Sequence, residues 1–253
     1  MRLFIILLFG MFWVTACQNP TDSNDASSGD TNKSGQPIPS PTVNGDQTPG
    51  GVLATISFDY ETVPGFPPAS FAMGYAYFGD NGDNAGDVSV NGNTLSVESQ
   101  SGSQWYTSFS QTNPSTLSGV SFNGSVHNWQ VGGAGDVPAF ELGVVSPTTF
   151  TVNSPGNGTT VDISQGLYIE WSGGNGVDSM MVLLVDLDKN TTFTRGGINF
   201  RNGDVTIAKA DLAGFSGDVL LQVVRYNYAL HTTNDTYYVA VSEIVKQTTF
   251  TIQ

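Results

Sequence analysis

The chain has 253 residues, with 22 Asp and Glu against eight Lys and Arg and a formal net charge of −14. A surface of that sign repels nucleic acid and anionic headgroups alike, so nucleic acid is not an expected partner. One cysteine excludes an intrachain disulfide and any cysteine-based zinc cluster, so the fold must rest on its apolar core. Gly, Asn, Ser and Thr are plentiful while helix formers are thin, which predicts a β-rich, turn-rich chain.

Arg2 supplies a positive start, and Leu3 to Val14 form an apolar run of 12 residues. A span of the hydrocarbon core needs about 20, so residues 1–16 read as an export signal and not as an anchor helix. The run ends Val14-Thr15-Ala16-Cys17. Small residues before a cysteine, straight after the apolar run, resemble the lipobox of bacterial lipoproteins. That resemblance implies a diacylglyceryl group on the Cys17 sulfur, cleavage by signal peptidase II between Ala16 and Cys17, and acylation of the freed amine. The implied address is the cell envelope, held to the membrane through the lipid. Gln18 stands where an Asp would mark retention at the inner membrane, so the outer membrane is the expected site. Surface exposure stays open. Residues 17–50 carry almost no apolar side chains beyond Ile38 and Val43, too few to offset chain ordering, and read as a lipidated disordered tether.

Folding therefore begins near residue 51, and two β-rich domains are expected, 51–147 and 148–253. Val52 to Phe58 alternates as a first strand, and Phe71, Met73, Tyr75 and Tyr77 repeat the period of two in a second. Val88 to Ser96 contains Asn91-Gly92, the pair that a type I′ hairpin turn favours. A second Asn-Gly, Asn123-Gly124, predicts a hairpin between Gly119–Phe122 and Val126–Val131. Its register would pair Val120 with His127, on one face with Phe122, Trp129 and Val131. A lone His on such a face reads as a hydrogen-bonded core residue.

Ser146-Pro147 separates the halves, because Pro147 interrupts strand pairing. Beyond it come seven strand-like runs, at 159–163, 167–171, 180–187, 205–207, 219–228, 236–245 and 249–252, with a one-turn helical piece at 208–214. That count and spacing fit an immunoglobulin-like sandwich. Leu167 to Ser172, with Trp171, and Met180 to Val185 resemble the second and third strands of a fibronectin type III domain, in which an inward Trp anchors the core. The expected fold class is all-β: two tandem immunoglobulin-like β-sandwich domains after a disordered tether.

For chemistry, Asp80, Asp83 and Asp87 lie within eight residues with Asn81 and Asn84, a supply of the hard oxygen ligands that Ca²⁺ prefers. The spacing departs from known calcium loops, and a solvated polar turn explains it more simply. No other cofactor is implied. Catalytic residues are not assigned: there is no Gly-x-Ser-x-Gly elbow, and His127 and His231 are the two imidazoles. Glu170 alternates with Ile169 and Trp171 and is expected to face solvent. Aromatic side chains are the better clue to binding, since Trp and Tyr stack on sugars and anchor interfaces. Trp105-Tyr106, Tyr226 with Tyr228, and Tyr237-Tyr238 are the candidates. In the adjacent pairs one ring must face out if the other faces in. The reading is a lipid-anchored, non-catalytic binding or adhesion module for protein or glycan. A glycan-acting hydrolase and a structural envelope component without a ligand are the alternatives.

Overall fold

The computed structural model describes residues 48–60, 69–110, 113–114, 117–174, 179–189 and 191–253. The export signal, Ala16, Cys17 and the tether through Gln47 lie outside the described residues. The protein is all-β, as its composition predicts. The first half supplies β1 (Gly51–Tyr60), β2 (Ala69–Phe78), β3 (Val88–Val90), β4 (Asn93–Thr94), β5 (Ser96–Gln100), β6 (Ser103–Thr107), β7 (Phe109–Ser110), β8 (Asn113–Pro114), β9 (Val126–Val131) and β10 (Phe140–Val145). The second supplies β11 (Thr151–Ser154), β12 (Thr160–Val161), β13 (Leu167–Ser172), β14 (Ser179–Asp186), β15 (Thr192–Asn199), β16 (Asp204–Ile207), β17 (Gly217–Thr233) and β18 (Thr236–Ile252). The expected helical piece is a single 3-10 turn, Lys209–Leu212.

The organising element is the hairpin of β17 and β18, 17 residues each. Asn234 and Asp235 join them with φ of 50° and 61°, the paired left-handed conformation of a two-residue hairpin turn. The sequence reading ended one strand at Tyr228 and broke the other at Lys246-Gln247-Thr248. Those three polar residues instead stay in register opposite Val223, Gln222 and Leu221, so the ladder continues through them.

One large sheet runs β15-β14-β17-β18-β1-β2-β6-β5, with β12 also paired to β18. β1 lies parallel to β18 from Gly51↔Tyr238 to Phe58↔Val245, so the hydrogen bonding of this sheet crosses residue 147. Two smaller sheets, β10-β9-β3-β4 and β11-β13-β16, supply the remaining layers. Between β11-β13-β16 and the large sheet sits a core of Leu167, Ile169, Trp171, Leu184, Val219, Leu221 and Phe250. Between β10-β9-β3-β4 and the large sheet sits another, of Leu53, Phe78, Tyr106, Trp129, Val131, Phe140, Tyr238 and Ala240. β18 serves both, with Tyr238 and Ala240 in one core and Ile244, Phe250 and Ile252 in the other. We call this side of the large sheet its inner face.

The Asn91-Gly92 hairpin forms as expected, with φ of 45° and 78° and Val90 opposite Asn93. The second expected hairpin does not form. Residues 119–122 are not a strand, and β9 pairs instead with β3 and β10. Asn123 explains the difference: its Oδ1 accepts the Ser125 N–H at 3.1 Å, an Asx turn, and its backbone bridges to Thr148 rather than closing a hairpin. Alternation nevertheless places His127, Trp129 and Val131 on one buried face.

The connection at Ser146-Pro147-Thr148 is pinned from both sides. Ser146 Oγ donates to the Ser121 carbonyl at 3.1 Å, while Arg225, wholly buried, donates from Nη1 to the Thr148 carbonyl at 2.6 Å. The Arg225 guanidinium lies 3.9 Å over the Phe200 ring centroid. Gly174 must lack a side chain, because a Cβ there would collide with Nη1 of Arg225.

Candidate functional site

Strand alternation sorts the six candidate aromatics onto the two faces of the large sheet. Tyr106 and Tyr238 point inward and are core residues, 1% and 2% exposed. Tyr106 meets Phe78 edge-on at 5.7 Å, and Tyr238 packs on Phe140 at 4.5 Å. Neither ring is open to a ligand. Trp105, Tyr226, Tyr228 and Tyr237 fall on the opposite, outer face.

Register shows how these outer side chains align. Leu230, Val239, Val52 and Tyr77 form one row across β17, β18, β1 and β2. Tyr228, Val241, Ala54, Tyr75 and Thr107 form the next, extending onto β6. Tyr226, Glu243, Ile56 and Met73 form the third. With strands about 4.8 Å apart, five of them carry an aromatic and aliphatic surface about 20 Å wide. Tyr228 and Leu230, 43% and 41% exposed, mark its open margin, and Trp105 and Tyr77 are half-buried. Tyr226, Tyr237, Val239, Val241 and Val245 form a buried cluster with Ala54, Ile56 and Met181.

Glu243 sits within that cluster, 2% exposed, and among the described residues its Oε1 has no hydrogen-bond partner. Burial among apolar neighbours pushes its carboxyl up to about 8, so at neutral pH it is a protonated acid. Burial also raises the hydroxyl of Tyr226, against a hydrogen bond with the Ser179 side chain that acts the other way. Sequence reading missed Tyr75, Tyr77 and Glu243 as members of this face. The signal was present for the tyrosines, since Phe71, Met73, Tyr75 and Tyr77 alternate, but one strand alone does not say which of its faces lies inside.

The acidic loop is placed differently. Asp80, Asp83 and Asp87 are exposed, and Ala85 turns inward at 0% exposure. The loop is held by its own hydrogen bonds: Asp80 O accepts the Tyr77 hydroxyl at 3.0 Å, Asn81 O accepts Ser103 Oγ at 2.7 Å, and Ala85 N donates to the Tyr106 oxygen at 2.7 Å. Among the described residues no three His, Cys, Asp or Glu side chains gather as a metal site. Asp186, whose run with Asp188 and Asn190 also alternates, is buried and caps a turn: its carboxylate accepts the N–H groups of Asp188, Lys189 and Ser216. Burial opposes its ionisation, and these donors hold its carboxyl below the usual range nonetheless.

His127 is fully buried at the seam of the two layers. Its Nε2–H donates to the Ser121 carbonyl at 3.1 Å, which leaves the Nδ1 lone pair facing the hydroxyls of Thr55, at 2.8 Å, and Ser242, at 3.2 Å. Desolvation lowers its pKa, against the carbonyl contact that raises it, so the neutral ring is favoured. His231 instead stacks on Phe140, ring centroids 4.9 Å apart. Glu170 is half-buried. No protein-family model matches the chain, and no curated protein matches it.

Proposed function

We propose that the chain is a lipid-anchored envelope protein, tethered through Cys17, whose exported part is a non-catalytic module that binds protein or glycan through the outer face of its large sheet. The observation that carries this reading is the margin of that face, where the exposed Tyr228 and Leu230 and the half-buried Trp105 and Tyr77 border the buried rings of Tyr75, Tyr226 and Tyr237. Flat aromatic surfaces bury large area at small conformational cost and stack on sugar rings or anchor protein partners.

The finer reading of the architecture, two immunoglobulin-like sandwiches, has support in the second half. There β11-β13-β16 faces β15-β14-β17-β18, with β12 parallel along β18, which is the grouping of strands in that class. Trp171 on β13 fills the core, 3% exposed, and donates from Nε1 to the Phe200 carbonyl at 2.8 Å. In our reading the first half completes its own sandwich by borrowing the far end of the same hairpin.

Two experiments test the function. Intact mass spectrometry of the mature protein should find an N-terminus at Cys17 carrying acyl chains, and an unmodified thiol there would remove the anchor from the proposal. A glycan array and a pull-down from envelope extract should then find a ligand whose binding is lost on Tyr228→Ala and Trp105→Ala. Silence in both assays would count against a binding module, and turnover on a polysaccharide panel would replace it with a hydrolase.

A further inference from the structure

We propose that His127 is an acid-sensitive latch, holding the layer β10-β9-β3-β4 on the large sheet while neutral and loosening that layer when protonated. The inference is independent of what the outer face binds. It rests on the position of the ring: His127, on β9, is the residue through which the smaller sheet reaches hydroxyls on β1 and β18 together. Phe122 stands edge-on to the imidazole at 5.0 Å and packs against both inner cores, so a disturbance at this point is shared between them.

Protonation would place a cation in this seam. The hydroxyls of Thr55 and Ser242 can turn to accept from Nδ1, so the hydrogen bonds alone would survive; the charge would not be balanced. The groups facing the ring are Thr55 on β1, Ser242 on β18 with Asn227 opposite it on β17, Val144 opposite His127 on β10, and the Ser121-Phe122 segment. None is ionisable in the acid range. The nearest inner-face charge along the hairpin, Arg225 opposite Ile244, is itself positive and would repel a protonated imidazole. An uncompensated buried charge is relieved by opening, and the layer held by His127 is what can open.

Linkage fixes the sign. A neutral buried His whose pKa is lowered contributes stability that is present above the ordinary value of 6.5 and is lost as pH falls below it. Each unit through which the unfolded imidazole is charged and the folded one is not costs about tenfold in the folding equilibrium.

The test uses the mature full chain in detergent, comparing wild type with His127→Gln, which keeps one donor and one acceptor but does not titrate, and with His231→Gln as control. Melting temperature between pH 7 and 5, and the fluorescence of the tryptophans, which include the wholly buried Trp129 two residues along β9, are followed together. Relative to His127→Gln, wild type and His231→Gln should lose several degrees between pH 7 and 5 and shift toward solvent-exposed tryptophan, the opposite contribution of Glu243 being common to all three. The same pH dependence in His127→Gln would overturn the latch and assign any acid sensitivity to the carboxylates. Should that variant fail to fold, NMR titration of the wild-type imidazole decides. A His127 signal that titrates at the ordinary value with no change in fluorescence overturns the proposal, and one that stays neutral until the fluorescence changes supports it.

Discussion

The two faces of the large sheet bury polar groups of different kinds. On the inner face Thr55, His127, Ser242 and Arg225 each have a partner, supplied in part by His127 on β9 and by the Thr148 carbonyl in the connection between β10 and β11. On the outer face Glu243 and Gln222 are buried with a side-chain oxygen unmatched among the described residues. Satisfied groups specify one packing arrangement, whereas an unmatched buried acid costs stability whenever it must ionise. Neither face is fully satisfied, since Trp129 Nε1 and Thr248 Oγ1 on the inner side also find no partner among the described residues, but the unmatched carboxyl lies on the outer face. The inner face is covered by the two smaller sheets, whereas the outer face keeps an exposed margin at Tyr228 and Leu230 and a half-buried Trp105.

The sharpest test of this contrast is to truncate one tryptophan on each face. Trp171→Ala removes a buried ring and its hydrogen bond from the core of the second half and should cost about 3–5 kcal/mol. Trp105→Ala, half-buried on the outer face, should cost less than about 1 kcal/mol. Urea unfolding of the two variants decides it, and equal losses would mean that both faces are core.

Next in size is Glu243→Gln, which should stabilise the protein. The folded carboxyl titrates near 8 and the unfolded one near 4.5, so the folded chain keeps a proton that the unfolded chain releases between those values. Stability then falls as pH rises through that window, and the penalty is absent below it. At pH 8 the variant should gain a few kcal/mol, less than the roughly 5 implied by the full difference, because the amide carries a desolvation cost of its own. Melts at pH 4 and pH 8 check the sign: a gain at pH 4 equal to that at pH 8 would show that ionisation is not the cause.

How much of this was legible depended on the range over which each feature is decided. The alternation of Val52 to Phe58, the Asn91-Gly92 turn, the inward Trp171 and the burial of His127 are local properties and could be read directly. The length of β17 and β18 was hidden because Lys246-Gln247-Thr248 looks like a break, and only the pairing partners Val223, Gln222 and Leu221 carry the ladder through. The parallel docking of β1 on β18 joins residues nearly 190 apart in the chain, and no window of sequence contains it. The same distance effect sorted the aromatics. Adjacent rings were known to face opposite ways, but which of Tyr237 and Tyr238 lies inside depends on what covers β18.

Smaller effects are expected at the open margin. Tyr228→Ser and Leu230→Ser replace exposed side chains and should each change stability by no more than about 0.5 kcal/mol. Their effect should appear in ligand capture, and a variant that loses stability without losing ligand would place that residue in the core instead.

The smallest effect is expected at the acidic loop, which is anchored in the inner core through Ala85 but whose carboxylates belong to neither buried arrangement. A ligand that binds only the folded state raises the melting temperature by mass action, so Ca²⁺ should raise it only if Asp80, Asp83 and Asp87 form a site. The loop already satisfies itself: Asp83 N donates to the Phe78 carbonyl at 2.6 Å, Gly86 N to Asn84 Oδ1 at 2.9 Å, and the Tyr106 hydroxyl to the same Asn84 oxygen at 3.3 Å. The backbone is thus fixed without a cation, and the three carboxylates project into water. Melting in millimolar Ca²⁺ and then in chelator should give the same temperature, with Asp83→Ala within about 0.5 kcal/mol of wild type in both. A rise of several degrees in Ca²⁺, lost on Asp83→Ala, would instead make this loop a cation site, and would add a metal-dependent edge to the half of the molecule whose seam His127 closes.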